Sequence, residues 1–258
     1  MHPIYISGNS PLHALHPLTK LAAALLILVV AEVLPWPLVP LVLCGLLFPL
    51  ALIAGVLKPL LRAALVILLP IALSLFVIQG LLFPPTKTLP LSLGPITIWL
   101  DGLVFASLIT VRLLVLTATV LLVLQTTHPA DLILALTERG LPLGIGYVLL
   151  VSLQLVPDMS ARATAILEAQ RSRGLETKGL LRRLRTLPAL IGPLIVGALL
   201  DVEERAMALE SRAFASVGPK TSLRTLHDSL VQRAARPLLL TLTVAVLIAR
   251  FTILRGGV

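Results

Sequence analysis

Residues 63–83 form a stretch of 21 residues without a single charged side chain. This is the length that a helix needs to cross a hydrocarbon core of ~30 Å. In lipid, the backbone polar groups of such a segment must pair within it, which favours a helix. The chain is 57% hydrophobic and 13% charged, whereas soluble domains carry about 25% charged residues. These features predict an all-α polytopic membrane protein.

Five segments are predicted to span the bilayer, separated by Pro-rich or charged boundaries. They are Pro17–Leu34, Leu38–Leu57, Ala63–Phe83, Gly102–Gln125 and Pro237–Leu254. Pro17 suits a first helical turn, and Pro70 is expected to kink the third span. Residues 84–101 are too polar and Pro-rich to cross, so we expect an extracytoplasmic loop of extended character there.

The composition changes between the fourth and the last predicted span. Residues 127–236 hold 14 of the 21 Lys and Arg residues and 10 of the 12 acidic residues. Two uncharged runs, Leu143–Val156 and Leu187–Leu200, have 14 residues each, and we expect neither to cross. Each continues into a charged, amphipathic stretch, which predicts two long helices along or under the membrane. The predicted organisation is four spans in 1–126, these helices in 127–236 and a last span in 237–258.

Basic residues near the span ends predict the orientation. Lys87 and Arg255 fall on one side of the predicted membrane, and seven others fall on the opposite side. The seven are Lys20, Lys58, Arg62, Arg139, Arg224, Arg233 and Arg236. Because Lys and Arg concentrate on the cytoplasmic side, the N-terminus and residues 127–236 are expected in the cytoplasm. The net charge of +9 is then explained by membrane topology and by attraction to anionic lipid. It does not indicate binding to nucleic acid.

Two short Arg-centred motifs stand 39 positions apart in the charged region. They read A-Q-R-S-R-G-L and A-L-E-S-R-A-F. Ala, Ser and Arg recur in register, and a small residue follows the shared Arg in each motif: Ala169, Ser172, Arg173 and Gly174, then Ala208, Ser211, Arg212 and Ala213. An Arg at a membrane surface commonly does no more than snorkel. The repeated context instead indicates a pair of cationic helix ends that dock on a partner.

Arg112 lies inside the fourth predicted span, about 15 Å from its start. A charged residue at such a depth costs about 2.5–3.5 kcal/mol on insertion scales. It should therefore face other helices and find acceptors, and Ser74 and Gln79 on the third span are candidates. We expect a buried structural polar contact, with a contact to a partner or to a transported molecule as the alternative.

Catalytic and metal-binding signatures are not found in the sequence. There is no Walker-type glycine loop, no G-x-S-x-G and no H-E-x-x-H. A single cysteine, Cys44, excludes an intramolecular disulfide and a Cys-based metal site. His2, His13 and His16 are close in sequence without a carboxylate or thiol among them, so interfacial or capping roles are expected. No cofactor is predicted.

Two other classes of membrane protein were weighed. A secondary carrier working alone would need an ionisable relay within the spans, but Glu32 and Asp101 lie at span ends. A membrane-embedded protease or lipid transferase would need a catalytic set beside the membrane, and no such set is evident. The carrier remains the alternative to a non-enzymatic subunit.

Five segments read together resemble the transmembrane T component of energy-coupling factor (ECF) importers. They are I-S-G-N-S-P-L-H-A-L-H-P-L-T-K-L from Ile6, T-T-H-P-A-D-L from Thr126, L-Q-L-V-P from Leu153, E-A-Q-R-S-R-G from Glu168, and D-V-E-E-R-A-M-A-L-E-S-R-A-F from Asp201. Together they cover nearly the whole chain in the expected order. The last two resemble the family's pair of Ala-Arg-Gly-type coupling motifs.

The resemblance implies a non-enzymatic coupling subunit in the inner membrane of a prokaryote. Its coupling helices would dock on two ABC-type ATPases, and a separate S component would bind the vitamin or metal ion that is imported. Arg173 and Arg212 would be the docking arginines, and the small residues around them would shape the contact.

The sequence departs from the family pattern in three places. Ser172 replaces the usual alanine and Ala213 the usual glycine, and Ala213 would restrict the backbone if a positive φ is required there. The segment His16-Pro17-Leu18 stands where Asp-Pro-Arg is usual.

Overall fold

The computed structural model describes residues 5–6, 8, 10–34, 36–82, 91–93, 96–174, 180–214, 216, 218 and 226–255. Its helices are α1 (Pro11–Ala14), α2 (Pro17–Val33), α3 (Leu38–Ile53), α4 (Leu57–Val77), α5 (Leu100–Thr126), α6 (Pro129–Thr137), α7 (Leu143–Ser172), α8 (Leu180–Ser211) and α9 (Leu230–Arg255). A π-helical turn (Ile78–Leu82) continues α4, and strands β1 (Leu91–Leu93) and β2 (Ile96–Ile98) form an antiparallel hairpin. The predicted helical membrane-protein class is confirmed.

The chain divides into two compact units. One comprises residues 141–225 and contains α7 and α8. The other comprises residues 2–140 and 226–258 and contains the remaining helices. The boundaries predicted from composition, at residues 127 and 237, stay predictions.

The larger unit is built around α5, which packs against α2, α3 and α4, while α9 packs along α2. Small side chains allow this close approach: Ala31 and Ala51 are each 1% exposed. Val56 and Val115 complete the centre of the core and are fully buried. Alanine at helix contacts is typical of membrane bundles, in which tight packing replaces the hydrophobic effect.

α2 and α6 begin in the same way. Pro17 and Pro129 each lie in the first turn, where the missing N–H removes no helical bond. His16 and His128 precede them, and the Nδ1 atom of each accepts the backbone N–H two residues later, at 3.2 Å. The capping role expected for His16 is therefore confirmed. His2 lies outside the described residues.

Two basic residues used above to predict orientation are buried in the larger unit. The Lys20 ammonium donates to the Thr126 carbonyl at 2.8 Å, which ties α2 to the end of α5. The Arg236 side chain donates from Nε to the Thr19 hydroxyl at 2.9 Å and pairs with Asp228. Both cations therefore have packing roles at helix contacts as well.

Four of the described helices are long and apolar enough to cross a membrane: Leu57–Gly80, Leu100–Thr126, Leu143–Ser172 and Leu230–Thr252. Three of them overlap predicted spans, whereas α2 and α3 have 17 and 16 residues. The run Leu143–Val156 was expected to be too short. α7, which contains this run and continues through Pro157 without a break, is long and apolar enough to cross. That this segment does not cross stays a prediction.

The π-helical turn lies close to the start of α5. A Cβ atom built on Gly102 would lie 1.9 Å from the Gln79 carbonyl oxygen. The Trp99 N–H also donates to the Gly80 carbonyl at 3.0 Å. The backbones of α4 and α5 approach here to a distance that only glycine permits.

Candidate docking site

The first Arg motif forms the end of α7. Arg173 closes the helix in a near-helical conformation, with φ −87° and ψ 11°. The next N–H, of Gly174, donates to the Arg171 carbonyl at 3.0 Å. Gly174 has φ +86°, a left-handed conformation that glycine adopts without steric cost. The chain therefore turns away from the helix immediately after Arg173.

The second motif ends α8 with a Schellman arrangement. The Phe214 N–H donates to the Leu209 carbonyl at 3.0 Å, and the Ala213 N–H donates to the Glu210 carbonyl at 2.9 Å. This pair of bonds requires a left-handed residue just past the helix end, a position usually held by glycine. Ala213 holds it here, with φ 53°. The positive φ considered from the sequence is therefore present, in an alanine.

All eight residues predicted for docking are exposed. Ser172 and Ser211 do not project a free donor, since their hydroxyls donate to the carbonyls of Glu168 and Ala208 at 3.1 and 3.0 Å. Neither guanidinium of the two arginines makes a hydrogen bond or ion pair with a residue that the structure describes. Each motif thus presents a helix end with small residues, whose serine is internally bonded and whose docking arginine, Arg173 or Arg212, is available to a partner.

α7 and α8 run antiparallel, which places the two motifs at opposite ends of the pair. The ring of Phe214, after the second motif, lies 5.5 Å from that of Tyr147, near the start of α7. Farther along, Arg162 of α7 pairs with Asp201 of α8. From Tyr147 to Arg173, α7 extends about 39 Å at 1.5 Å per residue. The structure therefore does not bring the two motifs together into one site.

Arg112 is half-buried in α5, and its acceptor differs from those proposed. Its Nη2 atom donates to the backbone carbonyl of Leu34 at 3.3 Å, not to Ser74 or Gln79. Leu34 follows the last residue of α2, so its carbonyl has no partner inside the helix. Arg112 satisfies this carbonyl and ties α5 to the end of α2.

The contact between Arg162 and Asp201 was missed by the sequence reasoning. Both residues lie in stretches predicted to be helical, and they are separated by 39 positions, the same interval as the two motifs. In an antiparallel pair of helices, contacting residues keep a nearly constant sum of residue numbers and not a constant difference, so the shared interval is no pairing signal. Opposite charges on two predicted helices were the signal for a contact of some kind. The pairing itself depends on the register of the helices, which the motifs alone do not set.

Comparison with known proteins places this chain in a family. Residues 8–223 match the profile of the family described as CbiQ, cobalt transport protein. A relative from Heliobacterium modesticaldum, named energy-coupling factor transporter transmembrane protein EcfT, is 31% identical over 234 residues. That match covers 86% of this chain and 86% of the relative.

Two further relatives show how widely the similarity extends. An EcfT protein from Thermosediminibacter oceani is 26% identical, with 90% of each chain covered. A Bifidobacterium longum protein named as a putative ABC transporter ATP-binding protein is 29% identical over 69% of this chain, but only 24% of that protein is covered. The similarity thus extends to a segment of a much larger protein whose name includes ATP binding.

Proposed function

Because this chain belongs to the CbiQ family and is a transmembrane component of an ECF transporter, we propose that it couples ATP-driven motion of two ABC-type ATPases to a substrate-binding S component. The observation that carries this proposal is the pair of equivalent exposed helix ends. Each presents an arginine followed by a left-handed residue, Gly174 or Ala213.

The geometry of each end suits insertion into a groove. A left-handed residue follows Arg173 and Arg212 directly, so each arginine lies at the end of its helix with its side chain exposed. A planar guanidinium can pair with carboxylates or carbonyls through two parallel hydrogen bonds. The neighbouring Ala169 and Ala208 would allow close approach of the partner's surface.

The separation of the two ends supports two ATPase contacts over one. Because α7 and α8 are antiparallel and long, the two arginines lie roughly 35 Å apart along the pair. A small groove cannot hold both at once, whereas two ATPase subunits can each take one. Closure of the ATPases on ATP would then move the two ends relative to each other.

The larger unit would offer apolar surface to the bilayer and to the S component. Most leucine, isoleucine and valine side chains of α4 are exposed, as expected of a surface that meets lipid or another membrane protein. In this proposal the chain lies in the inner membrane of a prokaryote, with its N-terminus and both docking ends in the cytoplasm, and has no catalytic activity of its own.

The substrate class follows from the family and not from a site in this chain. The family description names cobalt transport, and the ECF relatives are named as transporters. We include a metal ion or a vitamin in the proposal, with the binding site on the S component. Co²⁺ is therefore a suitable first probe for uptake.

Purification of the tagged chain from its host in mild detergent tests this function. ABC-type ATPases should co-purify, and the complex should hydrolyse ATP, whereas the chain expressed alone should not exceed a blank membrane protein. Recovery of an active Co²⁺ carrier from the chain alone in proteoliposomes would contradict the proposal and favour a secondary carrier.

A further inference from the structure

Arg162 and Asp201 form a polar connection between α7 and α8. The Arg162 Nη2 atom lies 2.8 Å from Oδ2 and 3.1 Å from Oδ1 of Asp201. One guanidinium nitrogen therefore reaches both carboxylate oxygens. Because α7 and α8 belong to the same compact unit, this contact links the two helices that carry the docking motifs.

Gly197 makes room for the arginine. It lies four residues before Asp201, so the two positions share a face of α8. A Cβ atom built on Gly197 would lie 3.1 Å from Nη1 of Arg162, closer than ordinary van der Waals contact. The Arg162 guanidinium therefore lies against the α8 backbone at Gly197, within reach of the Asp201 carboxylate.

The pair lies midway between the two docking ends. Arg162 precedes Arg173 by 11 residues, and Asp201 precedes Arg212 by the same number. We call each of these two segments, from the ion pair to the docking arginine of the same helix, an arm. Each arm is about 16 Å long. Since the helices are antiparallel, the arms extend in opposite directions from the ion pair.

We infer that Arg162, Asp201 and Gly197 form a positioning clamp that sets the angle and register of α7 and α8, and thereby the separation of the two docking ends. This inference rests on the proposed function for its biological meaning. Its structural content does not, because the clamp should act in the chain without any partner.

The clamp is expected to orient the helices more than to stabilise the fold. The side chains of Arg162 and Asp201 are 41% and 24% exposed, and water screens the attraction within such partly exposed ion pairs, so they contribute little to stability. The chain should therefore fold without the pair. Loss of the ion pair should appear as a wider range of angles between α7 and α8.

Spin labels at the two ends measure this directly. Glu168→Cys and Glu210→Cys, in a Cys44→Ala background, place labels on exposed sites near the two motifs. Pulsed electron paramagnetic resonance on the full chain in nanodiscs should give one narrow distance distribution. Arg162→Glu should broaden or shift it, and Arg162→Glu with Asp201→Arg should restore a narrow distribution.

Arg205→Glu is the matched control, because it makes the same charge change. Arg205 lies on α8, as Asp201 does, and forms no ion pair with the residues described. It should leave the distribution unchanged. An unchanged distribution in Arg162→Glu would overturn the clamp. Broadening that the charge swap does not reverse would also overturn it, since the effect would then be steric.

ATPase co-purification separates this inference from the proposed function. If the clamp is right, Arg162→Glu should keep its ATPases, because both docking ends are intact, yet lose transport for each ATP hydrolysed. Narrow and restorable distances in a chain that binds no ATPase would refute the proposed function and leave the clamp standing.

Discussion

Gly174 and Ala213 occupy the same position, one residue beyond each docking arginine, and both have positive φ, at +86° and 53°. Only the glycine is suited to that conformation, because an L-residue there costs about 1–2 kcal/mol. Ala213 is held by the two Schellman hydrogen bonds that end α8. The shape of each helix end therefore depends on one backbone conformation.

Substitutions at these two positions should have opposite consequences for ATPase binding. Gly174→Val should disorder the end of α7 and weaken ATPase co-purification, since a β-branched residue strongly disfavours positive φ. Ala213→Gly should be tolerated, because it removes the steric cost at that position. An equal loss of ATPase co-purification in both variants would show that docking does not depend on the left-handed turn.

Gly102→Ala should destabilise the larger unit. Its Cβ would lie 1.9 Å from the Gln79 carbonyl, so α4 and α5 must move apart. Overpacking of this kind costs about 1–3 kcal/mol, which is a shift of several degrees in thermal stability.

Gly45→Ala is the control for that substitution, since Gly45 is also helical and its Cβ would meet nothing within 4 Å. Fluorescence-detected size-exclusion chromatography after heating measures both variants. Similar melting of Gly102→Ala and the parent chain would contradict the close approach.

His16 predicts a mild acid sensitivity. Burial, and next the positive charge of Arg236, lower the pKa of His16 below its ordinary value of 6.5. The unfolded chain then binds a proton first as pH falls, so stability is full above about pH 6.5 and declines until the lower, folded pKa is passed. Protonation would also abolish the cap at Nδ1.

His16→Asn tests that sensitivity, because asparagine caps helices without titrating. Thermal unfolding of the parent and the variant should be compared from pH 7.5 to pH 5. The parent should lose more stability over this range, and parallel curves would show that His16 does not contribute.

Cysteine labelling tests the topology. In a Cys44→Ala background, Pro90→Cys should be labelled from outside the cell and Lys178→Cys only after the membrane is opened. This result would place the Arg173 end on the cytoplasmic side, where the ATPases would bind. Labelling of both sites from the same side would contradict the predicted orientation.

Sequence reasoning reached the helices and their ends because those are local properties. Arg173 and Arg212 terminate α7 and α8 as predicted, since the following small residues permit a left-handed turn. The acceptor of Arg112 was missed because the Leu34 carbonyl carries no side-chain signature. α7 is one long helix, as predicted, because its apolar start continues through Pro157 into the charged stretch.

The central claim is that Arg173 and Arg212 dock on two ATPases, and co-purification of ATPases with the Arg173→Ala/Arg212→Ala double variant tests it most directly. Loss of a charged hydrogen-bond partner at an interface costs about 2–5 kcal/mol, or tenfold and more in affinity. We predict normal insertion of the double variant and loss of the ATPases. Arg171→Ala, an exposed neighbour on α7, should retain them. Retention of both ATPases by the double variant, with uptake intact, would contradict the account.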